Sequence, residues 1–130
     1  MNADLRAFAF LPVGYLLTVL IELPVLLVGL QPRHNFKRRL LAGLWLTACT
    51  YPIVILVLPA LLSPASQRPA YLLVAETFAP AAECVLFWAA CVREDPEAQP
   101  GLWRDMLTIT LANLLSFSIG EALIWLGFFG

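Results

Sequence analysis

One apolar stretch, from Tyr71 to Val92, constrains this sequence more than any other feature because it carries two carboxylates, Glu76 and Glu83. It is long enough to cross a bilayer as a helix, which takes about 20 residues. The two acids are about two helical turns apart, so they project from nearly the same face. An acid in hydrocarbon costs roughly 2.5–3.5 kcal/mol on insertion scales, and no Lys or Arg lies in this stretch to neutralise it. Both carboxylates must therefore face protein, water or a cation.

The composition of the whole chain is also that of a membrane protein. Of its 130 residues, 61% are hydrophobic and 13% are charged, and the mean hydropathy is +0.82, far outside the usual soluble range. The apolar segments leave no room for a soluble domain. We predict a single transmembrane domain over residues 1–130, with spans at approximately 8–30, 40–62, 71–92 and 106–129. The predicted fold is all-α, an integral membrane four-helix up-down bundle.

Three of the predicted spans contain a proline close to a polar side chain. Pro24 follows Glu22, Pro52 follows Tyr51, and Pro80 precedes Glu83. Proline removes one backbone N–H and frees the carbonyl four residues earlier, which needs another partner inside a membrane. These positions predict proline-kinked helices.

The charges are segregated along the chain. The predicted spans hold no Lys or Arg, but they hold four acids: Glu22, Glu76, Glu83 and Glu121. The first and third loops carry Arg33, Lys37, Arg38, Arg39, Arg93 and Arg104, against Arg6 and Arg68 on the other side. The positive-inside rule then places these loops in the cytoplasm and both termini outside. No basic face suits a nucleic acid, so we expect membrane lipid as the partner and no nucleic acid.

Counting from the cytoplasmic helix ends at about 1.5 Å per residue groups the polar residues by depth. Glu22, Thr47, Glu83 and Asn113, one from each helix, come out roughly 10–14 Å deep, and Glu76 and Glu121 about 22–24 Å deep. These six residues are our candidates for binding a cation or proton. Asn113, Ser116 and Gly120 form a small, polar stripe that we read as helix packing.

Two functions remain open. The acids can bind a proton, a metal ion or an organic cation in a transport protein, with Glu83 and Glu22 as the binding carboxylates and Asn113 orienting them. Alternatively, protonated acids can hydrogen-bond between helices in a non-catalytic subunit or assembly factor of a larger membrane complex. A membrane enzyme ranks third, because the sequence offers no nucleophile–base pair, and we name no catalytic residues.

No resident metal site or cofactor is expected either. The one histidine, His34, lies outside the spans in the basic loop, and we interpret it as a solvated side chain. The three cysteines fall within apolar segments and form no metal-binding or redox pair.

Four short motifs, taken in their order along the chain, resemble those of a known group of membrane proteins. Glu22-Leu23-Pro24, Thr50-Tyr51-Pro52, the pair Glu76 and Glu83, and Asn113 to Phe117 with Gly120 together resemble an uncharacterised family of small four-span bacterial inner-membrane proteins with no assigned activity. The resemblance implies the bacterial inner membrane as the location and implies nothing about chemistry. Small multidrug transporters share the size and one acid in the first helix, but their motif is not matched around Glu22. A homodimer or a larger complex is left open as the assembly.

Overall fold

The computed structural model of the chain describes residues 3–62 and 66–127, and these residues form helices and turns without a strand. The four main helices are α1 (Ala3–Gly29), α2 (Phe36–Pro52), α3 (Arg68–Phe87) and α4 (Leu102–Trp125). Helix α2 continues through a π-helical segment, Ile53–Val57, into a short α-helical turn, Leu58–Leu61. Helix α3 continues as π-helix over Trp88–Val92, and a 3₁₀ helix, Pro96–Gly101, leads into α4.

Four of these helical stretches are long and apolar enough to cross a membrane: Pro12–Gly29, Phe36–Leu61, Arg68–Val92 and Pro96–Leu123. Large apolar side chains point outward from them, such as Val28 and Leu73, which are 80% and 71% exposed. An exterior of this kind suits lipid better than water. The prediction of an all-α fold is confirmed for the described residues, and the four long apolar helices are candidate transmembrane helices of a multi-pass membrane protein.

The helix ends differ from the predicted spans where polar residues can cap a helix. Helix α2 begins at Phe36 rather than residue 40, because the side chain of Asn35 accepts a hydrogen bond from the Arg38 N–H at 2.7 Å. Asp95 caps the 3₁₀ helix through the Glu97 N–H at 3.3 Å. The predicted end of the fourth span, at residue 129, lies outside the described residues.

The helices pack in a ring in which α1 and α3 each contact both α2 and α4. Neighbours run antiparallel. In the middle of α1 the Tyr15 hydroxyl donates to Leu44 O, in the middle of α2, at 2.8 Å. Near the end of α1, Leu27 O accepts from Arg39, near the start of α2. Arg104 Nε donates to Gly29 O at 2.8 Å. Two arginines therefore satisfy the last carbonyls of α1, where the helix dipole favours positive charge.

The hydrophobic core occupies one end of the bundle, next to the first and third loops. It consists of Leu26, Leu30, Ala42, Leu46, Phe87, Val92, Ala98, Ile109 and Ala112. Residues from all four helices close this end with apolar side chains. The cavity described below extends from this core towards the other end of the bundle.

The prolines affect the helices unequally. Pro24 and Pro80 lie inside helices that remain α-helical, whereas Pro52 and Pro59 flank the π-helical segment, in which Leu58 N–H donates to Ile53 O. In a π-helix each carbonyl accepts from the N–H five residues later, so Val54 O would need the N–H of residue 59, which is a proline and has none. The Tyr71 hydroxyl donates to Val54 O at 3.0 Å instead. A side chain of α3 thus satisfies the carbonyl that Pro59 leaves free, as expected of a broken backbone hydrogen bond in a membrane.

Candidate functional site

A cavity of about 510 Å³ lies between the four helices. Glu22, Thr47, Thr50, Glu83 and Asn113 line its inner end, beside the hydrophobic core. Arg68 and Glu121 line the opposite end, where their side chains are 48% and 30% exposed. The structure places all six candidate residues of the sequence analysis on the wall of this one cavity, as it does Ser116 and Tyr51.

The carboxyl group of Glu22, on α1, is held between α2 and α4. Thr47 Oγ1 donates to its Oε2 at 3.0 Å, and Ser116 Oγ donates to its Oε1 at 2.7 Å. The side chain is buried, with 3% of the residue exposed. Each oxygen of this intramembrane acid therefore has a hydroxyl partner on a different helix.

Glu83, on α3, is held by the same two helices. Thr50 Oγ1 donates to its Oε1 at 3.0 Å, and Asn113 Nδ2 donates to its Oε2. Asn113 Nδ2 also donates to Ile109 O at 2.9 Å, so both amide hydrogens are used. Glu83 is 2% exposed. The two acids are therefore bound by pairs of residues one helical turn apart. On α2 these are Thr47 and Thr50, and on α4 they are Asn113 and Ser116.

Two of the hydroxyls in this arrangement have a second acceptor. Thr50 Oγ1 lies 3.1 Å from Leu46 O as well as 3.0 Å from Glu83. Ser116 Oγ lies 3.0 Å from Asn113 O as well as 2.7 Å from Glu22. A hydroxyl has one hydrogen and two lone pairs, so it can donate to an ionised carboxylate, or accept from a protonated one while donating to the carbonyl. Both protonation states of each acid can therefore be satisfied with little movement of the chain.

The remaining two acids differ from each other. Glu121 forms an ion pair with Arg68, so the expectation that the intramembrane acids have no basic partner is wrong for Glu121. The helix α3 begins at Arg68, before the predicted start of its span, which brings this cation to the cavity. Glu76 is half-buried on the cavity wall, and no described residue donates a hydrogen bond to its carboxylate.

The end of the bundle beyond the core holds a second buried polar cluster. His34 Nε2 lies 3.0 Å from Asp105 Oδ2, and Gln31 donates to both carboxylate oxygens, from its backbone N–H at 3.0 Å and from Nε2 at 2.7 Å. His34 and Asp105 are both fully buried. The interpretation of His34 as a solvated loop residue is therefore wrong, because its ring packs edge-on against Phe87 at 5.1 Å between centroids.

The loops at this end are also joined on the surface. Arg33 pairs with Asp95 at 2.8 Å and with Glu97 at 2.6 Å, which links the first loop to the third. The hydrogen bonds from Arg33 hold the pKa of Asp95 below its usual range, and the same contact raises the pKa of Arg33. Three layers therefore close the end of the bundle away from the cavity mouth: the hydrophobic core, the buried polar cluster and the ion pairs on the surface.

Within the described residues, no group of three or more His, Cys, Asp or Glu side chains is arranged to hold a metal ion. Comparisons of the chain with protein-family models, with curated proteins and with solved structures gave no match. The function of the chain is therefore inferred from the geometry of the cavity.

Sequence reasoning missed four residues of the site: Thr50, Ser116, Tyr51 and Arg68. Thr50 is three residues after Thr47, and Ser116 is three residues after Asn113, so the helical period could have found both. From the sequence we interpret Ser116 as part of a packing stripe with Gly120, but Gly120 has no neighbour within 4 Å of where a Cβ would lie. Tyr51 reaches the cavity wall because Gly14 has no side chain where its hydroxyl lies.

Proposed function

We propose that this protein is a small transport protein that handles protons or cations through its intramembrane carboxyl groups. Glu22 and Glu83 take up and release the proton, and Thr47, Thr50, Asn113 and Ser116 hold them in place. The observation that carries the proposal is that Glu22 and Glu83 are both buried on the wall of one cavity, where neutral side chains hold their oxygens and no described Lys or Arg pairs with either acid. The hydroxyls of Thr50 and Ser116 can each turn from the carboxyl group to a backbone carbonyl, so each acid can be held in either protonation state.

The charge distribution supports a location and an orientation for this activity. The first and third loops carry most of the cations, and the pair of Arg33 with Asp95 joins these loops at one end of the bundle. We place that end in the cytoplasm of a bacterial inner membrane, with both termini outside. The cavity, which ends at Arg68 and Glu121, then faces the extracytoplasmic side, and the hydrophobic core separates it from the cytoplasm.

Glutamine variants of the two acids test the proposal. In Glu83→Gln the amide can donate to Thr50 Oγ1, Thr50 can donate to Leu46 O, and the Gln carbonyl can accept from Asn113. The variant therefore keeps every hydrogen bond but cannot ionise. We expect it to fold normally and to lose part of the pH dependence of thermal stability that the parent shows in detergent between about pH 5 and about pH 9. Glu22→Gln should behave in the same way through Ser116.

The control is Glu94→Gln, which removes an exposed acid in the third loop and should keep the parent's profile. If the parent and both cavity variants give identical, flat profiles, the carboxyl groups are permanently protonated contacts between helices. The protein would then be better described as a non-catalytic subunit or assembly factor.

A further inference from the structure

We propose that the cavity binds an organic cation with an apolar body and that the Glu76 carboxylate is its counter-ion. This inference rests on the proposed function, because it assigns proton exchange to Glu22 and Glu83 and substrate binding to a third acid. It names both the class of substrate and the residue that selects it.

Glu76 differs from the other cavity acids in the hydrogen bonds it makes. Both oxygens of Glu22 and of Glu83 accept hydrogen bonds from α2 and α4, and Glu121 is paired with Arg68. The half-buried carboxylate of Glu76 has no donor among the described residues. A charge in a partly dry cavity is stabilised by an opposite charge, and a cationic ligand would supply one.

The charged residues that line the cavity favour a cationic ligand over an anionic one. Four acids line the cavity, and among its described residues Arg68 is the one Lys or Arg, already paired with Glu121. An anionic ligand would have to approach several carboxyl groups without a free cation to receive it. Clefts lined mainly by one sign of charge concentrate ligands of the opposite sign.

The walls favour an organic ion over a metal ion. Between the acids the cavity is lined by apolar and aromatic side chains, which include Leu17, Ile21, Tyr51, Val54, Tyr71 and Phe117. Hard metal cations need several oxygen ligands around them, and no metal-binding cluster occurs in the described part of the chain. Aromatic rings instead attract organic cations through their faces. The volume, about 510 Å³, lies within the roughly 300–1,000 Å³ of small-molecule sites.

The test measures binding of tetraphenylphosphonium to the purified full chain in detergent by titration calorimetry. Tetraphenylborate, an anion of the same shape, is the matched control ligand. We expect tetraphenylphosphonium to bind and Glu76→Gln to weaken its binding by about tenfold or more. Tetraphenylborate should not bind above the detergent background. Glu94→Gln, which lies on the surface, should leave binding unchanged.

The outcomes separate this inference from the proposed function. If Glu76→Gln binds the cation as well as the parent does, or if both ions bind equally, the inference is overturned, since the cavity then takes any apolar molecule, including a lipid chain. In that case an altered pH profile of Glu83→Gln still supports proton handling. If Glu76→Gln loses binding while Glu83→Gln keeps the parent's pH profile, the substrate site stands and the proton assignment fails.

Discussion

The imidazole of His34 and the carboxyl group of Asp105 meet 3.0 Å apart at a point where neither side chain reaches solvent. His34 precedes α2 and Asp105 belongs to the first turn of α4, so this contact ties the first loop to the last helix. Gln31 completes the cluster, and its Nε2 also donates to Ala98 O at 3.0 Å. These buried contacts close the bundle at the end opposite the cavity mouth.

Replacing Asp105 tests how much this buried cluster contributes to the stability of the fold. Asp105 accepts from Gln31 N and Gln31 Nε2, and its Oδ2 lies 3.0 Å from His34 Nε2. In Asp105→Asn one carboxylate oxygen becomes an amide N–H₂, which cannot accept a hydrogen bond from Gln31. We expect the free energy of unfolding to fall by about 2–3 kcal/mol. Denaturant unfolding in detergent measures it, with the exposed-site variant Glu94→Gln as control. A loss no larger than that of the control would mean that the buried cluster does not stabilise the fold.

The contact of Tyr71 with Val54 predicts a coupling to Pro59. Tyr71→Phe leaves Val54 O without its donor and should lower the free energy of unfolding by about 1 kcal/mol. In a Pro59→Ala background the helix regains a backbone N–H, so the same change should cost less. A double-mutant cycle measures the difference. Equal costs in the two backgrounds would show that Tyr71 does not replace the hydrogen bond that Pro59 removes.

The pair of Arg33 with Asp95 predicts a pH effect with a definite sign. Because the pKa of Asp95 is lower in the folded protein than its ordinary value of 3.8, its ionised form favours folding. The contribution is present above pH 3.8 and is lost as the pH falls from there through the folded pKa. Carbon-detected NMR titration of Asp95 should show the lowered pKa, and Arg33→Gln should return it towards 3.8. An unchanged pKa in that variant would contradict the pairing.

The orientation is tested by fusing reporters to the chain. Two cations on the side of the termini against six on the other predict that a reporter after Gly130 is active outside the cytoplasm. A second fusion, within the third loop after Glu94, should report from the cytoplasm. Activity of the Gly130 fusion inside the cell would reverse the orientation and turn the cavity mouth towards the cytoplasm.

The sequence by itself determined the class of fold and the polar residues worth attention. Apolar segments of spanning length can satisfy their backbone in lipid only as helices or closed barrels, so four helices follow from composition and length. Acids in such segments cannot face lipid cheaply, which is why Glu22, Glu76, Glu83 and Glu121 could be singled out and why all four line the cavity.

The tertiary structure alone decided what each acid contacts. Helical period gives the face of a residue, but the partner depends on how neighbouring helices are shifted and rotated against each other. For this reason three features could not be predicted: the pairing of Glu121 with Arg68, the burial of His34, and the lack of a hydrogen-bond donor to Glu76 among the described residues. A hydrogen bond is set within a few tenths of an ångström, whereas depth counted along a helix carries an error of several ångströms.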